Sequence, residues 1–212
     1  MEFPITYLYA VIGWVLWCTL HSVLISMTVM DYLKKRMGDG FRFYRVFYNT
    51  VAIVTLIPLI HYSASIRQDL VFRWDGPLVI IQGLLLLTSI SLFIAGGWGY
   101  SLSKLLGIHQ IRENRLGRSL SGYDTFVVKG IHLIVRHPWY LAGILIVWGQ
   151  DLYLSTILVN MVISTYFYIG SMLEEQKLIV EFGERYREYQ RNVSMLFPYK
   201  WLNTMIVGAL KL

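Results

Sequence analysis

Three long stretches without a formal charge constrain this chain more than any other feature. No Asp, Glu, Lys or Arg lies between Glu2 and Asp31, between Arg45 and Arg67, or between Asp75 and Lys104. A helix needs ~20 apolar residues to cross a bilayer's hydrocarbon, and each stretch exceeds that. Lipid offers no water to backbone N–H and C=O groups, so a crossing segment must satisfy them internally, as a helix does. Spans are expected near residues 5–28, 46–63 and 76–96. Composition agrees, with 56% hydrophobic and 15% charged residues, where a soluble domain carries about 25% charged. A soluble enzyme, a disordered chain, a coiled coil and a secreted disulfide scaffold are excluded. The single cysteine, Cys18, rules out an internal disulfide and supplies no zinc-site spacing. It reads as a small buried hydrophobe. Glu2 stands where a cleavable signal would have basic residues, and the first run is too long for one.

A fourth apolar stretch, residues 139–173, contains Asp151 as its only charge. As one helix it would run ~52 Å against a hydrocarbon core of ~30 Å. Gly149-Gln150-Asp151 supplies a polar turn near its middle. Two short antiparallel spans, 139–150 and 153–173, are therefore expected. The fold class is all-α: a single integral membrane domain over 1–212 with five transmembrane helices. Lys and Arg number five in 31–45, six in 97–138 and six after 173, but two in 64–75. Five spans put the basic segments on one side. By the positive-inside rule the amino terminus then faces out and the carboxyl terminus faces the cytoplasm, across the inner membrane if the source is bacterial. Trp74, Trp98 and Trp139 fall at span ends, as interfacial aromatics do. The net charge of +6 marks cytoplasmic loops rather than a nucleic-acid partner. The partner is the lipid bilayer, and the oligomeric state stays open. Residues 174–193 read as an amphipathic cytoplasmic helix with Leu178, Ile179, Phe182, Tyr186, Tyr189 and Val193 at helical spacing. The tail 199–212 reads as an interfacial segment.

Polar groups at the membrane edge are costly unless paired or solvated, so they direct the search for chemistry. One cluster lies in 130–140, with His132, Arg136, His137, Pro138 and Tyr140; the other is Glu174-Glu175. In a tight helical hairpin the start of one helix lies beside the end of the other, so Arg136, His137 and Tyr140 should face the two acids. Pro138 suits the first helical turn. The free N–H groups there favour an anion. Anion donors on one wall and carboxylates on the other suit a zwitterionic, sugar-bearing ligand such as S-adenosylmethionine. Adjacent acids on a helix point in different directions, so one is expected inward and one solvated. His21, in the middle of the first span, is either functional or an interhelix contact near Ser22. His61 and His109 read as solvated.

Arg136-His137-Pro138-Trp139-Tyr140, followed by Glu174-Glu175-Gln176-Lys177-Leu178 and by Phe182-Gly183 with Tyr186 and Tyr189, resembles the isoprenylcysteine carboxyl methyltransferase superfamily of integral membrane methyltransferases. The resemblance covers roughly 105–198. His21-Ser22 and the run 42–49 look more like the branch of NnrU-type proteins and methanethiol S-methyltransferases. The resemblance implies an S-adenosylmethionine site facing the cytoplasm, capped by a carboxyl-terminal helix, and a bilayer tunnel for a lipophilic acceptor. His137 and Arg136 are the candidate catalytic residues. The resemblance implies cofactor contacts from His137, Pro138, Tyr140 and Glu174, with Glu174 the inward acid and Glu175 the solvated one, and an adenosine side lined by residues 124–127, Val127 among them, and by His132; beside these, Lys129 and Gly130 are read as further cofactor contacts, Lys129 toward the methionyl carboxylate or else a lipid phosphate, and Gln110 lies in a loop that would reach the cofactor. His132 stands where those enzymes have Tyr. Gly170 stands where they place an Arg that holds the acceptor carboxylate, which favours a small or lipophilic uncharged acceptor, a methanethiol-like thiol above all. Carboxyl O-methylation and phospholipid N-methylation are the alternatives within the class. A non-enzymatic membrane scaffold or transport component is the alternative outside it.

Overall fold

Helices form where the uncharged runs place them. The computed structural model describes residues 5–66, 69–97, 106–108, 111 and 126–209. The elements are α1 (Ile5–Leu24), α2 (Met27–Met37), a 3-10 turn (Gly38–Phe43), α3 (Tyr44–Ser65), β1 (Leu70–Phe72), α4 (Leu78–Gly97), a second 3-10 turn (Gly130–Leu133), α5 (Pro138–Trp148), β2 (Leu152–Tyr153), α6 (Leu154–Phe182), α7 (Glu184–Asn192) and α8 (Tyr199–Ala209). Among the described residues, four helical stretches are long and apolar enough to cross a membrane: α1, Met27–Ser65, α4 and α6. The protein is an all-α integral membrane protein. The helix α5 has 11 residues, ~16 Å of rise, short of the ~30 Å core on its own.

The described residues fall into two compact units. The first comprises Met1–Asp75, Tyr100–Arg118 and Gln150–Tyr166, and the second Gly76–Gly99, Ser119–Gly149 and Phe167–Leu212. In the first unit α1 and α3 run antiparallel, stitched by side chains whose numbers fall on one helix as they rise on the other. Trp14 Nε1 donates to Ser63 Oγ at 2.9 Å, Trp17 Nε1 to Thr55 Oγ1 at 3.1 Å, and the Tyr44 hydroxyl to the Leu24 carbonyl at 2.7 Å. Gly13 lets the backbones close up, since a Cβ there would meet Leu59 Cδ1 at 2.9 Å. The two-stranded ribbon β1–β2 is antiparallel, with Leu70 opposite Tyr153. Asp151 Oδ1 accepts the Trp74 backbone N–H at 3.0 Å, and Trp74 Nε1 donates to the Gln150 carbonyl at 3.0 Å. The polar turn at 149–151 thus joins α5 to α6 where the sequence placed it, and Trp74 is anchored there.

In the second unit α4 and α5 are antiparallel. Gln82 Nε2 donates to the Gly149 carbonyl at 2.8 Å, Ser89 Oγ to the Ala142 carbonyl at 2.8 Å, and Trp139 Nε1 to the Phe93 carbonyl at 3.0 Å. Each side-chain donor finds a carbonyl of the neighbouring helix, which matters where no water can substitute. The core gathers Leu92, Val135 and Ala142, with Ile131, Ile134, Leu141 and Leu145 packed on it. Gly96 makes room for Trp139, whose ring would lie 2.8 Å from any added Cβ.

One expected element is divided. The helix anticipated over 174–193 is the end of α6 followed by a separate α7. The break falls at Gly183, whose φ of 59° lies in the left-handed region that glycine enters at no steric cost. Glu174 and Glu175 therefore sit inside the continuous α6 rather than at the start of a new helix. Trp98, His109 and Gln110, with residues 124 and 125, lie outside the described residues.

Candidate active site

The site assembles in the second unit from the entry to α5, the last third of α6, and α7. Ser194 and Met195 hold the chain before α5: the Arg136 N–H donates to the Ser194 carbonyl at 2.9 Å and the His137 N–H to the Met195 carbonyl at 3.1 Å. His137 then caps α5, with Pro138 at its first helical position, where a missing N–H costs nothing. Two consecutive side chains, Arg136 and His137, are thus delivered to one place by a pinned, extended segment.

They meet Glu175. Arg136 Nε donates to Glu175 Oε1 at 2.6 Å and Nη2 to Oε2 at 3.1 Å, a bidentate fork. His137 Nε2 donates to Oε1 at 3.1 Å and Gln190 Nε2 to Oε2 at 2.6 Å. The Arg136 Nη1 group also donates to the carbonyls of Gln190, at 3.1 Å, and Val193. Four of the five guanidinium N–H groups are thereby spent, and the Glu175 carboxylate has four donors on two oxygens. Both side chains are only 8% exposed. A buried pair of this kind is tolerable because each charge is fully partnered, and removing one partner strands the other. Arg136 therefore ties the α5 entry, α6 and α7 together.

Glu174 is placed differently. Its side chain is 31% exposed, accepts the Tyr140 hydroxyl at 3.0 Å and lies 3.7 Å from His137 Nδ1. The expectation that Glu174 turns inward and Glu175 outward is corrected: Glu175 is the buried acid. The two point about 100° apart on the helix, and Arg136 and Gln190 claim the one on their side. His137, Tyr140 and Phe167 form a ladder of nearly parallel rings, at 5.4 Å and 6° for the first pair and 5.5 Å and 13° for the second. Gly143 gives Phe167 its room, since a Cβ would stand 2.5 Å from the ring.

His132 lies on the 3-10 turn that precedes this segment. Its Nδ1 donates to the Arg136 carbonyl at 3.4 Å, and its own carbonyl accepts the Tyr189 hydroxyl at 2.6 Å. Burial pushes its imidazole below the ordinary histidine value, the neighbouring His137 adding to this. Burial likewise raises the phenols of Tyr186 and Tyr189 far above their usual range, so both remain neutral donors. Phe126 packs edge-on against Tyr186 and Tyr189 at 5.6 and 5.5 Å. Val127, Lys129 and Gly130 are exposed at the edge of the unit, and Gly130 takes a positive φ of 58°. Of the residues expected to share a site, His132, Arg136, His137, Pro138, Tyr140 and Glu174 come together; Val127, Lys129 and Gly130 lie exposed just before them in the chain, with the Lys129 carbonyl accepting the His132 N–H at 3.2 Å. Glu175 was expected opposite Arg136 but solvated, and Tyr189 stood only in the motif; Gln190, which no pattern in the sequence singles out, completes the cluster.

A membrane-spanning all-α protein with a buried arginine–histidine–glutamate cluster at the mouth of a short helix is the class that fold and site define. Residues 9–151 match the NnrU protein family, and the chain belongs to it. It is 34% identical over 98 residues to Methanethiol S-methyltransferase 1 of Bradyrhizobium diazoefficiens, covering 46% of this chain and 34% of that one. It is 32% identical over 112 residues to Methanethiol S-methyltransferase of Pseudomonas deceptionensis, covering 48% and 42%. A relative of the same name in Pseudomonas sp. strain GM41(2012) is 35% identical over 111 residues, with the same coverage. The matched segments span about a third to two fifths of the length of these curated relatives. No solved structure matches.

Proposed function

We propose that the protein is an S-adenosylmethionine-dependent methyltransferase whose acceptor is a small uncharged thiol. The observation that carries the reading is the division of labour between adjacent acids: Glu175 locks Arg136 and His137 in place, and the half-exposed Glu174 beside them keeps acceptor capacity for a ligand. The relatives' names supply the reaction class.

The residues present fit the cofactor. Glu174 has lone pairs for ribose hydroxyls or an ammonium group; the exposed Lys129 and the N–H groups opening α5 suit a carboxylate; Phe126 and the His137–Tyr140 ladder offer aromatic faces. When bound, S-adenosylmethionine supplies a methyl group already activated on a sulfonium sulfur. The protein's task is then to position the partners and exclude water. In this reading Glu174, Tyr140, Lys129, Gly130, Val127, His132 and Pro138 bind or border the cofactor. With its Nε2–H given to Glu175, His137 keeps the Nδ1 lone pair as a candidate to receive a thiol proton, with His132 as the second. Arg136 is a positioning residue. The short α5 pairs with α6 as a fifth crossing, the amino terminus outside and the carboxyl terminus cytoplasmic.

Gly170 argues against a carboxylate acceptor: no side chain is available there, and a Cβ would meet nothing within 4 Å. Incubating the purified protein with methyl-labelled cofactor and a panel of thiols, prenylcysteines and phospholipids tests the proposal. Label should appear in the methyl thioether of the small thiols. Label confined to prenylcysteine esters or lipid amines would overturn the acceptor assignment, and no label in any product would favour the non-enzymatic reading.

A further inference from the structure

The last helix of the second unit is anchored at one end and bare along its length. Every residue of α8 from Trp201 to Gly208 is exposed. At 100° per residue, Trp201, Leu202, Met205 and Ile206 share one face; Lys200, Asn203 and Thr204 share the opposite one, with Val207 among them. The polar face is the one turned to the protein. Lys200 Nζ donates to the carbonyls of Gln190 and Arg191, at 2.8 Å each, and the Lys200 backbone N–H donates to Ser194 Oγ at 3.1 Å. The apolar face therefore points away from α7, with Met205 and Ile206 55% and 58% exposed.

A helix of 11 residues is marginal in water by itself, and an uncovered apolar face makes it more so. The backbone places a cover within reach. Trp139 bonds the Phe93 carbonyl near the end of the span α4, so the entry to α5 lies level with the end of a span. Ser194 and Met195 accept the N–H groups of Arg136 and His137 at that same level, and α8 begins four residues further on. It thus starts at the membrane boundary, and its ~16 Å of rise is too short to cross. The exposed Phe197 and Tyr199 precede it directly, and aromatic rings favour that depth. One face of a three-turn helix falls short of the ~800 Å² per partner that a stable protein interface buries, whereas a bilayer is continuous with the surface of the spans.

The link to the cofactor site runs through Lys200. Its ammonium group supplies donors to carbonyls that a helix end leaves without partners. The Gln190 carbonyl that it holds also accepts Arg136 Nη1, and the Gln190 side chain donates to Glu175. A single residue, Gln190, stands between α8 and the buried ion pair.

We propose that α8 lies flat in the interfacial layer on the membrane face where α5 begins, with Trp201, Leu202, Met205 and Ile206 among the acyl chains, and that this docking holds Lys200 on α7 and so steadies the Arg136–Glu175 pair beneath the cofactor site. The sequence marks the segment as interfacial; the structure adds its orientation and its connection to the site. The docking stands on its own, while its effect on cofactor affinity rests on the methyltransferase reading.

The test uses the full chain in vesicles of phosphatidylcholine and phosphatidylglycerol, with a nitroxide placed in turn on Asn203→Cys, Thr204→Cys, Met205→Cys and Ile206→Cys. The buried Cys18 gives the background, measured on the unaltered chain. The Met205→Cys and Ile206→Cys labels should collide more with dissolved oxygen than with a nickel chelate, and the other two labels the reverse. Ready access of the chelate to all four would put α8 in water and overturn the docking. Dipolar broadening between labels would give the face to a second copy of the chain and overturn it as well. Met205→Glu combined with Ile206→Glu, which should release α8, is expected to weaken S-adenosylhomocysteine binding about threefold or more, the equivalent of one modest hydrogen bond. Lys200→Met, which keeps the stem and removes the donor, should weaken it similarly while the label pattern persists. Unchanged affinity in both variants would overturn the coupling. An unaltered protein that binds no S-adenosylhomocysteine would overturn the methyltransferase reading and the coupling with it, and the label pattern would still decide the docking.

Discussion

Arg136 and His21 are both polar groups amid apolar helices, and the two units satisfy them by opposite means. Around Arg136 the currency is charge: a guanidinium and a carboxylate, each 8% exposed, are matched donor for lone pair by His137, Gln190 and two carbonyls. Around His21 the described partners are neutral: one imidazole is shared between two phenols, those of Tyr48 and Tyr166. The charged cluster is rigid because stranding either ion is expensive. The neutral one tolerates change, since interhelix hydrogen bonds among spans average only ~0.6 kcal/mol.

The difference is breakable by substitution. The largest effect should come from Glu175→Ala, which leaves Arg136 buried with its fork empty. A loss of about 3–5 kcal/mol is expected, read by denaturant unfolding in detergent. A loss below about 1 kcal/mol would mean that the cluster is wetter than its burial indicates. Next, Gly143→Ala drives a methyl into the Phe167 ring, 2.5 Å from the new Cβ. Overpacking of this kind costs about 1–3 kcal/mol, and the displaced ring ladder should weaken cofactor binding as well. Tyr48→Phe removes one neutral bond at His21 and should lower stability by about 0.5–1.5 kcal/mol, measured in the same way. A loss as large as that of Glu175→Ala would erase the contrast between the clusters. Asp151→Asn should be the mildest. The carboxamide oxygen still accepts the Trp74 N–H, and the Arg73 contact at 4.0 Å is partly exposed. A change within about 0.5 kcal/mol is expected, with methyl transfer nearly intact.

The sequence disclosed these features unevenly. The uncharged runs announced α1, α3, α4 and α6 because the cost of a charge in hydrocarbon writes itself directly into composition. The 149–151 turn implied that residues 136–140 face 174–175, and the structure brings those groups to within hydrogen-bond distance. Which acid turns inward was not legible, because it depends on Gln190 and the Val193 carbonyl, supplied by a helix after the break at Gly183. The glycine was visible, yet the apolar spacing of Leu178, Phe182, Tyr186 and Tyr189 continues through it and masks the break. The partners of His21 lie 27 and 145 residues away. No local pattern encodes contacts of that range, so the histidine was noticed and its tyrosines were not.

The central claim is that Glu174 faces the cofactor while Glu175 holds the frame. Calorimetric titration of S-adenosylhomocysteine into the detergent-purified protein and into Glu174→Ala tests it most directly. Saturable one-site binding in the former, and at least about tenfold weaker binding in a variant whose unfolding free energy stays within about 1.5 kcal/mol of the parent, is the predicted result. Equal affinity in the two proteins would contradict the account.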